Sequence, residues 1–245
     1  MAGVLPPCFL LPVFDPEKWD EIEAAFADFE KIELLQHWRE KPQAEFLPGR
    51  VQVGWRENML WIYATLQDAD IFNPAARLNE ETYKLGDAFE IFLRDKRMPH
   101  YLELHVSPFN QQMQLWFPCA RNPQNEKEWI GRFIEASLFQ SRTQVLESEN
   151  RWHVLACVPF EHLAKKETIE PGVEWLFSFS RYDYTRGKKQ PVLSSTSVHR
   201  VLDFHRQEDW RTLRFSDGGL KPPVEKCQTT ARPVTCLQVV APGAG

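Results

Sequence analysis

The sequence predicts an all-β protein: an antiparallel β-sandwich, jelly-roll or immunoglobulin-like, preceded by a short N-terminal helix. Three observations indicate this fold class. After about residue 32, apolar and polar residues alternate with a period of two in a series of short segments. Turn-forming residues separate these segments, and no helical pattern lies between them, as a parallel α/β protein would require. Aromatic residues make up 13% of the chain, and aromatic side chains favour strands.

The N-terminal helix is predicted from a start signal and a helical repeat. Asp15 precedes Pro16 and Glu17, which suits an N-cap followed by proline at the first helical position. The apolar residues that follow at helical spacing are Trp19, Ile22, Phe26 and Phe29. We therefore expect a short helix with one apolar face.

Seven later segments are predicted to be strands of two packed antiparallel sheets between residues 30 and 215. They are residues 50–55, 59–66, 89–93, 101–106, 112–117, 152–158 and 173–181. Because side chains alternate between the two faces of a strand, the pattern also predicts which residues enter the core. The predicted core residues include Leu60, Ile62, Leu66, Ile91, Leu93, Leu102 and Leu104.

Residues 1–216 are predicted to form one domain and residues 217–245 a flexible C-terminal tail. Phe215 is the last aromatic residue of the chain, and 30 residues follow it. So little apolar area cannot offset the conformational entropy lost on folding. The short apolar run at residues 237–240 leaves docking of the tail onto a protein partner open as an alternative.

Charge and composition exclude several classes of protein. The chain has 29 basic and 34 acidic side chains, a net charge of −5, whereas nucleic-acid binding needs a concentrated positive surface. We expect no membrane association, since no apolar stretch approaches the roughly 18 residues of a membrane span. The apolar N-terminus lacks a basic residue and contains prolines, so it is a poor secretory signal and favours a cytoplasmic location.

Glu90, Glu103 and His105 are the strongest candidates for a chemically active group. Each lies on the less apolar side of its strand, and a short turn joins the two strands. Two carboxylates and a histidine on one face can bind a cation or act as acid and base. They can equally form a solvated face or accept hydrogen bonds from a polyol. The usual catalytic motifs are absent, so no residue is assigned a catalytic role. We expect no cofactor, and a structural calcium ion is left open.

Aromatic residues are expected on the same face as these polar groups. They are Trp61, Tyr63, Tyr101 and Trp116. Aromatic rings beside carboxylates suit a sugar, because the ring packs on C–H groups while the polar side chains bind hydroxyls. In the alternative interpretation, loops and the N-terminal helix cover these aromatic residues and make them part of the core.

Six short motifs follow one another between about residues 19 and 215. Leu60–Ala64 precedes an Asp-x-Asp-Ile sequence, and Gly86–Phe92 contains Gly-Asp-x-x-Glu. The remaining motifs are Tyr101–Phe109, Trp152–Leu163, Trp175–Arg181 and Phe204–Phe215. In this order the six motifs resemble the carbohydrate-binding modules of family 9 and the wider group of DOMON-like sandwiches.

The resemblance implies a non-catalytic β-sandwich that binds a glycan or a sugar terminus, often beside a glycoside hydrolase. In the family, two Trp rings hold the ligand together with a Glu and an Arg, which Glu90 and Arg181 match. At the two Trp positions this chain has Tyr83-Lys84 and the run Ser194–Val198. The predicted ligand-binding residues are Glu90, Arg181, Tyr83, Tyr101, Glu103 and Gln112.

Glu90 and Arg181 are expected to pair and to line one pocket, with Tyr83 at its rim. The alternative for this pair is a plain salt bridge between strands. Two other functions remain as alternatives: an enzyme that uses Glu90, Glu103 and His105, and a haem-binding relative. In the haem alternative, His105 would act with one of the methionines Met59, Met98 and Met113.

Overall fold

Two β-sheets packed face to face make up the described part of the chain, residues 7–121, 129–164 and 170–216 of a computed structural model. The helices are α1 (Trp19–Phe26) and α2 (Thr82–Leu85). The strands are β1 (Pro7–Cys8), β2 (Ile32–Leu34), β3 (Gly49–Arg56), β4 (Met59–Gln67), β5 (Ala88–Asp95), β6 (Tyr101–Val106), β7 (Gln112–Phe117), β8 (Arg132–Phe133), β9 (Gln140–Leu146), β10 (Arg151–Pro159), β11 (Glu174–Asp183), β12 (Val192–Ser195) and β13 (Arg211–Phe215).

The larger sheet has eight strands and the smaller has five. In the large sheet the order is β1-β13-β11-β5-β6-β7-β8, and β12 also pairs with β11. In the small sheet the order is β2-β3-β4-β10-β9. The predicted all-β sandwich is confirmed, and its pairs are antiparallel except for β1, which runs parallel to β13.

The main core lies between the two sheets. All seven residues predicted to enter it are at most 1% exposed and belong to its apolar cluster. The register follows from a period of two, since a shift by one residue would turn these side chains to the opposite face. The predicted strand faces are therefore confirmed.

The N-terminal helix forms, but it begins later than predicted. Helix α1 starts at Trp19, and Lys18 rather than Asp15 occupies the N-cap position. The Asp15 carboxylate instead accepts a hydrogen bond from the Glu17 N–H at 2.9 Å, and the Lys18 N–H donates to the Asp15 carbonyl. Asp15 therefore stabilises a separate turn directly before the helix. Such a turn and a helix N-cap share the same local sequence signal.

Both outer faces of the sandwich are covered. Helix α1 packs through Ile22 and Phe26 against Tyr63 and Leu155 on the small sheet. A second aromatic cluster covers the outer face of the large sheet. In it, Phe204 and Trp210 pack with the strand residues Phe92, Tyr101 and Phe117. The strands β5 and β6 are consequently buried on both faces.

The predicted tail, residues 217–245, lies outside the described residues. Within the described ranges, no helix is long and apolar enough to cross a membrane.

Candidate functional site

Strand pairing brings Glu90, Glu103 and His105 together on the outer face of the large sheet. Glu90 in β5 lies directly opposite His105 in β6, and Phe92 lies opposite Glu103. Opposed residues of an antiparallel pair project to the same face. The three residues are called the outer acidic group below, and their predicted proximity agrees with the structure.

The imidazole of His105 lies between the two carboxylates. Its Nε2 atom is 2.7 Å from Glu103 Oε1 and 3.3 Å from Glu90 Oε1. The Oγ1 atom of Thr82 lies 3.4 Å from Nδ1 on the other side of the ring. Exposure is 0% for His105, 3% for Glu90 and 5% for Glu103. The group is therefore buried, and a solvated sheet face does not describe it.

Burial and charge act against each other in this group. Burial by itself lowers the pKa of His105, but the nearby carboxylates of Glu90 and Glu103 outweigh it and raise that pKa. Burial, together with the charge of Glu103, raises the pKa of Glu90 despite the opposing effect of His105. The imidazole therefore favours its cationic form, whereas Glu90 retains a proton to higher pH than an exposed glutamate does.

Each of the two glutamates keeps one oxygen without a hydrogen bond. Glu90 Oε2 and Glu103 Oε2 are both buried and lack a hydrogen-bonding partner among the described residues. The Nε2 atom of His205 lies 3.6 Å from Glu103 Oε2, beyond hydrogen-bonding distance. A buried acceptor without a partner carries a free-energy penalty, so these two atoms are well suited to receive a ligand.

Aromatic rings surround the outer acidic group. The ring centroid of Tyr83 is 5.6 Å from that of His105 and 5.6 Å from that of Tyr182. Tyr83 and Tyr182 are both partly exposed, and they form an aromatic edge between the group and solvent. Deeper in the face, the Tyr101 hydroxyl lies 2.9 Å from His205 Nδ1 and accepts a hydrogen bond from Trp129.

The structure contradicts the predicted pair between Glu90 and Arg181. Arg181 lies opposite Phe89, a residue of the core between the sheets, whereas Glu90 lies opposite Ser180. Because neighbouring residues of a strand face opposite sides, Arg181 points into the sandwich and Glu90 points away from it. The two side chains do not line one pocket.

Gln112 also lies away from the outer acidic group. It is opposite Val106, a core residue, and its Nε2 donates to Ser141 Oγ at 2.7 Å. Of the six predicted ligand-binding residues, four are therefore on or beside the outer face. They are Glu90, Tyr83, Tyr101 and Glu103.

The other aromatic residues predicted for this face lie elsewhere. Trp61 and Tyr63 pack against helix α1 on the small sheet, and Trp116 lies opposite Leu102, on the core side of the large sheet. Alternation within a strand shows which of its side chains share a face, but it does not indicate which of the two sheets the strand joins. His205 and Tyr182 were not predicted for the site, although the Phe204–Phe215 motif contains His205.

Arg181 belongs instead to a second cluster, the inner acidic group, formed with Asp68, Asp87 and Asp183. Arg181 Nη2 is 3.2 Å from Asp68 Oδ2 and 3.0 Å from Asp183 Oδ2. Asp87 accepts backbone hydrogen bonds from Phe72 and Tyr184 at 2.7 and 2.8 Å. Burial raises the pKa of Asp183 to about 7 although Arg181 opposes it.

Calcium does not suit the inner acidic group well. One carboxylate oxygen from each aspartate lies within 4.8 Å of the others, which is the kind of oxygen cluster that calcium prefers. However, the guanidinium of Arg181 already supplies a positive charge between Asp68 and Asp183. The Asp68 carboxylate also accepts a hydrogen bond from Trp152 Nε1. These contacts are those of a structural ion-pair cluster.

Two of the three methionines predicted for a haem site, Met59 and Met113, do not fit haem. Met113 lies directly opposite His105 on the neighbouring strand, so no space separates them for a flat macrocycle between two axial ligands. Met59 belongs to the small sheet, where its sulfur is 3.6 Å from Cys157 Sγ. His105 Nε2 also contacts a carboxylate rather than open space.

Comparisons with known proteins identify the fold. No protein-family model matches the chain, and no curated protein matches it. Among solved structures, a protein from Bacteroides uniformis, provisionally assigned as carbohydrate-binding, matches with a TM-score of 0.65 and 11% identity. The match covers 86% of this chain and 99% of that one.

Two further structures are of a family 9 carbohydrate-binding module from Caldicellulosiruptor kristjanssonii. The complex with cellotriose has a TM-score of 0.58 and 15% identity, and covers 91% of this chain and 100% of that one. The complex with glucose has a TM-score of 0.56 and 15% identity, and covers 90% and 100% of the two chains. This protein therefore has the β-sandwich fold of the family 9 carbohydrate-binding modules.

Proposed function

We propose that this protein is a non-catalytic carbohydrate-binding domain whose site lies on the outer face of the large sheet. The sugar would pack on the edge formed by Tyr83 and Tyr182, next to the outer acidic group. One observation carries the proposal: two buried carboxylate oxygens without hydrogen-bonding partners among the described residues lie close to partly exposed aromatic rings.

The chemistry of this arrangement suits a neutral sugar. An aromatic ring packs well against the C–H groups of a pyranose, whereas a carboxylate is a strong acceptor for hydroxyl hydrogens. Tyr83 provides a ring that is held in place by its contacts with His105 and Tyr182. Its hydroxyl also lies 3.1 Å from a Glu81 carboxylate oxygen.

A single aromatic edge implies weaker binding than a site with two opposed rings. The position of the second family Trp is taken by the run Ser194–Val198, and Ser194, Ser195 and Ser197 are buried. The Ser195 hydroxyl lies 3.1 Å from that of Ser178 and donates to the Phe179 carbonyl. These serines stabilise the sheet rather than offer a flat surface to a sugar.

The sequence also favours binding over catalysis, because the usual catalytic motifs are absent from it. The structural neighbours support the same role, because two of the structures show a carbohydrate-binding module with a bound sugar. The proposal also includes association with a glycoside hydrolase, which the family resemblance implies.

A glycan array followed by calorimetry tests the proposal. Glucose and cellotriose are the first ligands to titrate, since related structures contain them. Tyr83→Ala should weaken binding by about 1–2 kcal/mol through loss of the stacking ring. Trp19→Ala is the matched control, because Trp19 is also partly exposed but is the first residue of helix α1, on the opposite side of the sandwich.

Binding of no glycan on the array would refute the proposed function. Equal losses in the Tyr83 and Trp19 variants would refute the site while leaving the function intact.

A further inference from the structure

The ligand set of the outer acidic group matches a metal as well as a sugar hydroxyl. It combines one imidazole nitrogen with carboxylate oxygens from two side chains, and all three residues are at least 95% buried. This combination is typical of divalent transition metals, particularly zinc. Calcium and magnesium take oxygen ligands and do not favour an imidazole.

The candidate ligand atoms of the three residues lie within 4.8 Å of one another, and the two distances to His105 can be compared with those of a tetrahedral site. Bonds of about 2.0–2.1 Å at tetrahedral angles separate neighbouring ligand atoms by about 3.3–3.4 Å. His105 Nε2 is 3.3 Å from Glu90 Oε1 and 2.7 Å from Glu103 Oε1. The first distance already fits an ion, and the second requires Glu103 to move by roughly half an ångström.

The unpartnered oxygens provide the second, independent observation. Glu90 Oε2 and Glu103 Oε2 are buried acceptors that no described residue satisfies with a hydrogen bond. An unsatisfied carboxylate oxygen is costly in a buried position, and an ion bound at Oε1 would lower that cost, because both oxygens of a carboxylate share one negative charge. Two glutamates also match the charge of one divalent cation.

Residues around the group can hold its ligands in place. Thr82 Oγ1 lies 3.4 Å from His105 Nδ1, the ring nitrogen on the far side from the carboxylates. His205 Nε2 is 3.6 Å from Glu103 Oε2, and His205 is itself held by the Tyr101 hydroxyl. Metal-binding histidines are usually oriented by such a partner on their second nitrogen.

We propose that the outer acidic group is a binding site for one divalent transition-metal ion of the zinc type, with His105, Glu90 and Glu103 as its ligands. The site does not depend on the proposed sugar binding.

Titration of the untagged full chain with Zn²⁺ tests the site, after treatment with a chelator and in the absence of sugar. Calorimetry should detect one ion per chain, and Co²⁺ in its place should give the visible absorption of a site with nitrogen and oxygen ligands. Glu90→Gln and Glu103→Gln should each weaken Zn²⁺ binding by more than about tenfold, since even the partners of metal ligands contribute that much.

Glu23→Gln is the matched control. Glu23 Oε1 lies 3.6 Å from His153 Nδ1, a contact between glutamate and histidine on the opposite side of the sandwich. This variant should bind Zn²⁺ as the unaltered protein does. If a glutamine variant does not fold, the unaltered protein provides the test. The proposal then requires that Zn²⁺ shifts the NMR resonances of the His105 ring nitrogens.

Three results would overturn the proposal: no Zn²⁺ binding by the unaltered protein, binding in both glutamine variants as tight as in the unaltered protein, or unshifted His105 resonances in the presence of Zn²⁺. Loss of binding in Asp87→Asn but not in Glu90→Gln would place the ion at the inner acidic group and would also overturn it. Carbohydrate binding is measured separately with a chelator present, so either proposal can fail without the other.

Discussion

The large sheet carries an acidic cluster on each face, and the two clusters meet at adjacent residues of β5. Phe89 lies beside Arg181 of the inner acidic group, and the next residue, Glu90, begins the outer one. The inner group surrounds a permanent cation, the guanidinium of Arg181, whereas the outer group surrounds the titratable imidazole of His105.

The two clusters also differ in how their oxygens are satisfied. In the inner group, backbone N–H groups donate to Asp87 and the Trp152 indole donates to Asp68. In the outer group, one oxygen of each glutamate has no hydrogen-bonding partner among the described residues. The unsatisfied atoms of the inner group are the donor nitrogens of Arg181, which already face carboxylates, whereas those of the outer group are acceptors, which suit a hydrogen-bond donor or a cation.

Removal of the Arg181 guanidinium should have the largest effect on the free energy of unfolding. Arg181→Met leaves three buried carboxylates without their counter-charge, and we expect it to lower the free energy of unfolding by about 3–5 kcal/mol. Urea denaturation measures this. The control is Arg186→Met, because Arg186 pairs with Asp70 at the surface with 64% of its side chain exposed, and such pairs contribute about 0–1 kcal/mol. Similar losses in both variants would contradict a structural role for the inner group.

Adding a side chain at Gly86, next to Asp87, should have the next largest effect on the free energy of unfolding. A Cβ atom on Gly86 would lie 2.4 Å from the Phe72 carbonyl oxygen and 2.8 Å from Asn73 Cα. Both atoms belong to the backbone, so Gly86→Ala should lower the free energy of unfolding by about 1–3 kcal/mol. The same Phe72 donates its N–H to Asp87. Unchanged stability on urea denaturation would show that the segment at Phe72 moves freely.

The inner group should also make stability depend on pH. Burial raises the pKa of Asp183 to about 7, above its value of about 3.9 in an unfolded chain. The folded state therefore holds a proton that the unfolded state releases, and this contribution to stability is full below pH about 4 and is lost as pH rises through about 7. Asp183→Asn should flatten that part of the profile of unfolding free energy against pH. Asp28→Asn, a change at an exposed carboxylate, should leave the slope as it is.

The outer group should give the smallest effect on stability. Burial raises the pKa of Glu90, so glutamine resembles its protonated form in shape and charge. We expect Glu90→Gln to change the free energy of unfolding by about 1 kcal/mol or less, measured at neutral pH without ligand or metal. A loss as large as that of Arg181→Met would show that the outer group is a structural ion pair too.

Alternation along single strands was sufficient to predict the fold class and the core. Strands β3 to β7, β10 and β11 each contain six to ten residues, enough for a period of two to be recognised. Strands β1 and β8 have two residues each, which is too short for any periodic signal. The proximity of Glu90, Glu103 and His105 was also predictable, because a hairpin pairs strands that are neighbours in sequence.

Only the tertiary structure decided which charges pair and which faces are covered. Glu90 and Arg181 come from adjacent strands far apart in sequence, and a register shifted by one residue would have placed them on the same face. That register depends on packing of the whole core rather than on either strand alone. Residues from a distant part of the chain pack on the same outer face: Trp210 lies against Phe92, and His205 Nε2 is 3.6 Å from Glu103 Oε2. The burial of this face therefore has no local sequence signal.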